Sequence, residues 1–111
     1  MMNITRFDQA KAKPAHNGTI LAMEVLPAGV KAPFEHAWGY LEPHQAMEGH
    51  RHPTAEVYFF HQGQGVVVVG DEQQPVSPGD VVEIPPNAYH TVQNPSDGEL
   101  YWFALWWPPL D

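Results

Sequence analysis

The chain has 111 residues, close to the commonest size of one domain and too few for two ordinary cores, so one core and one site are expected. Hydrophobic residues at 43%, with aromatics at 12%, supply enough apolar side chain to drive folding and argue against disorder. The formal charge is −8, and Arg6, Lys11, Lys13, Lys31 and Arg51 are the only permanent cations. No basic face exists to neutralise phosphates, which argues against nucleic acid and an anionic membrane surface as partners.

Met1 to Asn17 reads as a lead-in arm. Its first sixteen residues mix Arg6, Asp8, Lys11 and Lys13 without the apolar centre of a signal peptide, so the cytoplasm is the expected compartment. From there the sequence is punctuated by twelve prolines and nine glycines at intervals too short for a substantial helix, and an all-β domain is expected over residues 18–111. Candidate strands are Gly18 to Leu26, His36 to Glu42, Ala55 to His61, Gly65 to Val69, Val81 to Ile84, Tyr89 to Gln93 and Glu99 to Trp107, each rich in β-branched or aromatic residues. Gln62 to Gln64, Gly70 to Glu72, Ser77 to Asp80 and Asn94 to Gly98 carry the glycine, proline, asparagine and aspartate that turns require. Short strands at nearly even spacing predict a sandwich or barrel. The last of them is apolar on both faces. One face can line the core, and the other needs a cover, either a second subunit in a homodimer or the chain's own N-terminal arm. The apolar stretch Tyr101 to Leu110 is too short to cross a bilayer and is interrupted by Pro108.

Cysteine is absent, so histidine and carboxylate are the only strong metal ligands available. Each of the seven histidines taken alone is more often a structural or solvated residue than a ligand. The joint pattern changes that. His50 and His52 are two apart and Glu56 follows four later, even steps that put all three on one face of an extended chain. His90 follows the turn at Pro85-Pro86-Asn87, where a neighbouring strand can deliver a fourth donor.

Gly49-His50-Arg51-His52-Pro53-Thr54-Ala55-Glu56, then six more residues and Gly63, resembles the first cupin motif, G-x5-H-x-H-x3,4-E-x6-G. Gly79, Pro85, Pro86, Asn87, His90 and Asn94 are similar to the second, G-x5-P-x-G-x2-H-x3-N. Two positions depart from the pattern: His44 stands at the leading glycine of the first motif and Asn87 at the second glycine of the other. Neither removes a ligand. Asn87 tolerates left-handed backbone geometry, whereas His44 stands at the bend before His50 and is either a solvated loop residue or an extra imidazole near the site.

The resemblance spans about Trp38 to Trp107 and implies a double-stranded β-helix, or jelly-roll, barrel in which His50, His52, Glu56 and His90 hold one divalent transition metal ion. Three imidazoles and a carboxylate favour Fe, Mn or Ni, with Zn or Cu as alternatives. A six-coordinate ion so held keeps two positions for oxygen, water or substrate. With Glu56 inside, alternation turns Tyr58 and Phe60 inward and Val57, Phe59 and His61 outward; Met47, Tyr40 and Phe103 are further candidates for the substrate-binding wall. Such a cavity, aromatic and low in charge, suits a small neutral or metal-chelating organic molecule, with Arg51 turned outward between the two histidines. The expected activity is dioxygenase-type oxidation, with decarboxylase, lyase or isomerase chemistry, or simple binding of a small molecule or metal, as alternatives.

Overall fold

A computed structural model describes residues 2–27 and 29–108. Nine strands are formed: β1 (Lys13–Ala15), β2 (Ile20–Met23), β3 (Glu35–Leu41), β4 (Ala55–Gln62), β5 (Gly65–Val69), β6 (Glu72–Val76), β7 (Val81–Ile84), β8 (His90–Gln93) and β9 (Leu100–Trp107). The one helical element among the described residues is a single 3-10 turn at Gln9–Lys11, opened by the Asp8 side chain accepting from the Ala10 N–H. Among the described residues no helix is long and apolar enough to cross a membrane.

The strands form two antiparallel sheets. The larger has the order β1-β2-β3-β9-β4-β7 and the smaller β6-β5-β8. Isolated bridges from Ala46 to Gln93 and from His50 to His90 lay the 46–50 segment along the free side of β8, lengthening the smaller sheet. Apolar side chains from both sheets close one core: Ile20, Leu41, Tyr58, Phe60, Val67, Ile84, Val92, Leu100 and Trp102 among them. The strand pattern predicts a sandwich or barrel and the resemblance a jelly-roll barrel, and the fold is that barrel.

Period-two alternation accounts for which residues enter. Along β4, Glu56, Tyr58 and Phe60 are buried, while Ala55, Val57 and Phe59 are half-buried on the opposite face. Along β9, Leu100, Trp102 and Ala104 are buried and Tyr101, Phe103 and Leu105 lie outside. Trp102 sits opposite Gly39 of β3, where an added Cβ would come within 2.6 Å of the indole; glycine there makes room for the largest core side chain.

Three expectations need correction. The segment Glu72–Val76 forms β6, although its polar residues and Pro75 argue against a strand. It is the edge of its sheet, where a missing N–H can be tolerated, and the turn at Gly70 and Asp71 folds it back on β5. Gly18 to Leu26 shortens to β2, Ile20–Met23. The N-terminal arm is built into the barrel: β1 pairs with β2, and Phe7 stacks on Tyr40 and Tyr101, covering part of the outer aromatic face.

Both departures from the cupin motifs fall on left-handed residues, His44 at φ 62° and Asn87 at φ 66°. The motif glycines are thus replaced where the backbone conformation is the one glycine adopts without steric cost, and the turns are kept.

Candidate metal centre and cavity

The bridge between His50 and His90 is a reciprocal pair of backbone hydrogen bonds, 3.1 and 2.9 Å, which sets the two residues directly opposite with both side chains on one face of the sheet. After His50 the chain bends at Pro53 and Thr54 and crosses into the larger sheet as β4. His50, His52 and Glu56 are therefore brought together by a crossing between sheets and not by the face of one strand.

The three imidazoles converge, each with one ring nitrogen, so that the three donor atoms lie within 4.8 Å of one another. What points them is the other nitrogen of each ring. Nδ1 of His50 lies 3.3 Å from the Glu48 carbonyl, Nδ1 of His52 lies 3.1 Å from the Thr54 carbonyl and 2.7 Å from its hydroxyl, and Nδ1 of His90 lies 2.9 Å from the Ala88 carbonyl. A carbonyl can only accept, so a proton on each Nδ1 satisfies it and leaves the Nε2 lone pair free to ligate.

The three Nε2 atoms face a carboxylate, and that of His52 is within hydrogen-bond distance of it. Glu56 Oε1 is 3.1 Å from Nε2 of His52 and 3.2 Å from Nε2 of His90, and Glu56 is only 6% exposed. Nε2 of His90, fully buried, makes no hydrogen bond despite that approach. A buried imidazole nitrogen left without a partner 3.2 Å from a buried carboxylate is unfavourable unless a proton or a cation sits between them, and the convergence of three imidazole nitrogens on one place suits a cation. Separations near 3 Å also match neighbouring ligands on a six-coordinate ion with bonds of about 2.1 Å. The residues present thus fit a metal ion.

Burial lowers the pKa of His50 to about 4, with the neighbouring His16 and His90 acting in the same direction. The ring is therefore neutral and ready to ligate at neutral pH. Tyr58, fully enclosed and beside the Glu56 charge, has its phenol pushed well above its ordinary value and stays protonated.

A cavity of about 350 Å³ opens beside the histidines, within the range of small-molecule sites. Ile20, Met47, Tyr58, Trp102 and Trp106 supply much of its wall, and among the described residues Glu56 is its only carboxylate and neither lysine nor arginine lines it. Of the expected wall residues, Tyr58 and Met47 line it. Phe60 is inside the barrel but lies two residues further along β4, packed on Tyr58 and Trp102 in the core. Tyr40 and Phe103 are on the outer face, because β3 and β9 pair in a register that sets Tyr40 opposite Tyr101 and Trp38 opposite Phe103. Tyr40 stacks with Phe7 and donates its hydroxyl proton to Glu99, and Phe103 stacks on Phe59. Arg51 is exposed, and His44 sits outside the site, exposed and 2.7 Å from Asp97.

Two residues at the site escape a sequence reading. Thr54 is buried and touches His52 through both its hydroxyl and its carbonyl; its place two residues after a candidate ligand was the available signal. His16 lines the cavity with its ring centroid 4.2 Å from that of His50. Nothing in its local sequence marks it, since 34 residues separate it from His50 and only the β1–β2 pairing brings it back.

Residues 37–107 match the cupin domain family, Cupin_2, and the chain belongs to that family. It is similar to a Cupin 2 conserved barrel domain protein from Salinispora arenicola CNS-205, with a TM-score of 0.85 and 31% identity over 96% of this chain and 89% of that one. The plu4264 protein from Photorhabdus luminescens superposes with a TM-score of 0.82 at 28% identity, covering 96% of this chain and 88% of that one. A predicted oxalate decarboxylase, tm1287 from Thermotoga maritima, shares the fold with a TM-score of 0.79 at 18% identity, over 95% of this chain and 100% of that one. In sequence, 61 residues are 31% identical to the uncharacterized protein MJ1618 of Methanocaldococcus jannaschii, over 54% of this chain; the match spans about half (49%) of that protein's length.

Proposed function

We propose that this cupin binds one divalent transition metal ion through His50, His52, Glu56 and His90 and acts on a small organic molecule held in the adjoining cavity. Dioxygenase-type oxidation is the leading chemistry, with decarboxylase, lyase and isomerase reactions as alternatives. The observation that carries the reading is the set of three Nδ1 atoms, each tied to a backbone carbonyl, which turns three Nε2 atoms toward one place beside a buried carboxylate. Three imidazoles and one carboxylate favour Fe, Mn or Ni over Zn or Cu. When bound, the ion supplies Lewis acidity and open positions for oxygen or substrate. The chain supplies the rest: Glu56 offsets part of the metal charge, Tyr58 offers a protonated phenol, and the apolar wall excludes water from around the ligand.

That same wall suits a barrel that retains a metabolite without turning it over, and oxygen uptake with candidate substrates separates the two. Assembly as a homodimer is part of the proposal. Phe59, Phe103 and Leu105 on the outer face remain half-buried beyond the reach of Phe7, and a mass of two chains by light scattering is the expected result.

The direct test is elemental analysis of tag-free protein purified without chelator, beside His50→Ala and His90→Ala. About one equivalent of a transition metal per chain, lost in both variants, is expected. Less than about a tenth of an equivalent, with none regained on incubation with Fe(II), Mn(II), Ni(II) or Zn(II), would overturn the metal reading.

A further inference from the structure

The β1–β2 turn holds three consecutive residues in the left-handed region: His16 at φ 51°, Asn17 at 58° and Gly18 at 78°. Two of them are not glycine, and such a conformation persists only where its surroundings fix it. Here they do. Asn17 Nδ2 donates to Glu48 Oε2 at 2.6 Å, the Glu48 N–H donates to Thr19 Oγ1 at 2.8 Å, and Thr19 Oγ1 donates to the His16 carbonyl at 2.7 Å. The turn is thereby bolted to the residue two before His50, and the His16 ring is carried over the His50 ring.

Every one of these bonds bypasses the imidazole. Among the described residues, neither ring nitrogen of His16 has a hydrogen-bond partner, whereas Nδ1 of each of the other three histidines is committed to a carbonyl. His16 also lies outside the set of donor atoms that converge within 4.8 Å. It is therefore placed beside the metal centre without belonging to it, in a half-buried position on the cavity wall.

Resting on the metal reading above, we infer that His16 is the side chain that meets the polar head of the bound small molecule, donating a hydrogen bond to an oxygen held at the metal's open positions. The rest of the cavity defines the other end of that molecule. With Ile20, Met47, Trp102 and Trp106 in the wall and no lysine or arginine there, the body is apolar or aromatic, and the head is an oxygen chelate whose charge is met by the ion and by one imidazole. The class is an apolar-bodied oxygen chelator, and His16 is its specificity-determining contact.

The test uses Co(II)-loaded full-length protein and benzohydroxamate, an oxygen chelator with an aromatic body. Binding is read from the Co(II) absorption spectrum and by calorimetry. Two substitutions are compared: His16→Gly removes the ring at a position whose backbone glycine accepts, and His16→Gln keeps a donor. Thermal melts report folding.

The expected result is that His16→Gly holds as much Co(II) as the unaltered protein while its benzohydroxamate affinity falls about ten- to a hundred-fold, and that His16→Gln recovers a large part of it. Unchanged affinity in His16→Gly would sink the contact. Loss of Co(II) from His16→Gly, as from His50→Ala, would instead make His16 part of the metal-holding apparatus and overturn the assignment. If the unaltered protein takes up Co(II) yet ignores benzohydroxamate, the inference falls while the metal site stands; if it takes up no Co(II), the metal reading fails before any probe is added.

Discussion

Thr54 illustrates how one side chain sets the chemistry of another. Its hydroxyl and its carbonyl both meet Nδ1 of His52, fixing the ring's orientation and turning Nε2 toward Glu56. Partners of this kind commonly govern metal affinity by about ten- to a hundred-fold. Thr54→Val keeps the shape and the carbonyl while removing the hydroxyl, so metal affinity is expected to fall by about tenfold, measured by competition with a chelating dye. The folded state should change little, because the substitution is nearly isosteric. His44 and Asn87 make the converse point. Each replaces a motif glycine, yet each retains the left-handed conformation, so the departure touches the turn and leaves the ligands in place.

Elements position these side chains through their connections. The Gly63 turn between β4 and β5 approaches the start of β9 so closely that a Cβ there would sit 2.2 Å from the Glu99 carbonyl oxygen, and its φ of 95° excludes ordinary side chains. Gly63→Ala must displace backbone from backbone, and a loss of about 2–4 kcal/mol is expected, measured by urea unfolding. Asn94 performs a similar service after β8. Buried, it donates to the carbonyls of Leu41, Glu42 and Gly98 and accepts from Ser96, tying the loop after β8 to the end of β3. Both residues belong to the cupin motifs, and their geometry explains why motif positions that bind nothing are still restricted.

At the scale of the molecule, the metal-free protein stores a cost that pH exposes. Burial keeps His50 neutral down to about pH 4 and lowers His16 as well, whereas an unfolded imidazole gains its proton near 6.5. The unfolded chain therefore binds protons that the fold refuses. Their contribution to stability is present in full above about pH 6.5 and is lost as pH falls toward about 4. Melting temperatures of the metal-free protein should decline steadily across that window and stay flat, as far as these groups are concerned, above it; a flat profile down to pH 4 would contradict burial of the histidines. By itself the sequence determined the all-β class, since proline and glycine leave no room for helices. It marked His50, His52, Glu56 and His90 as candidates by type and spacing, although a crossing between the sheets and the bridge to β8, and not one strand face, bring them together. Alternation along β4 was equally legible, because a period of two needs no partner strand. The outward facing of Tyr40 and Phe103, the edge strand at Glu72–Val76 and the arrival of His16 were decided only by tertiary structure. Each depends on which strands pair and in what register, and that pairing is fixed by long-range packing that no local pattern records.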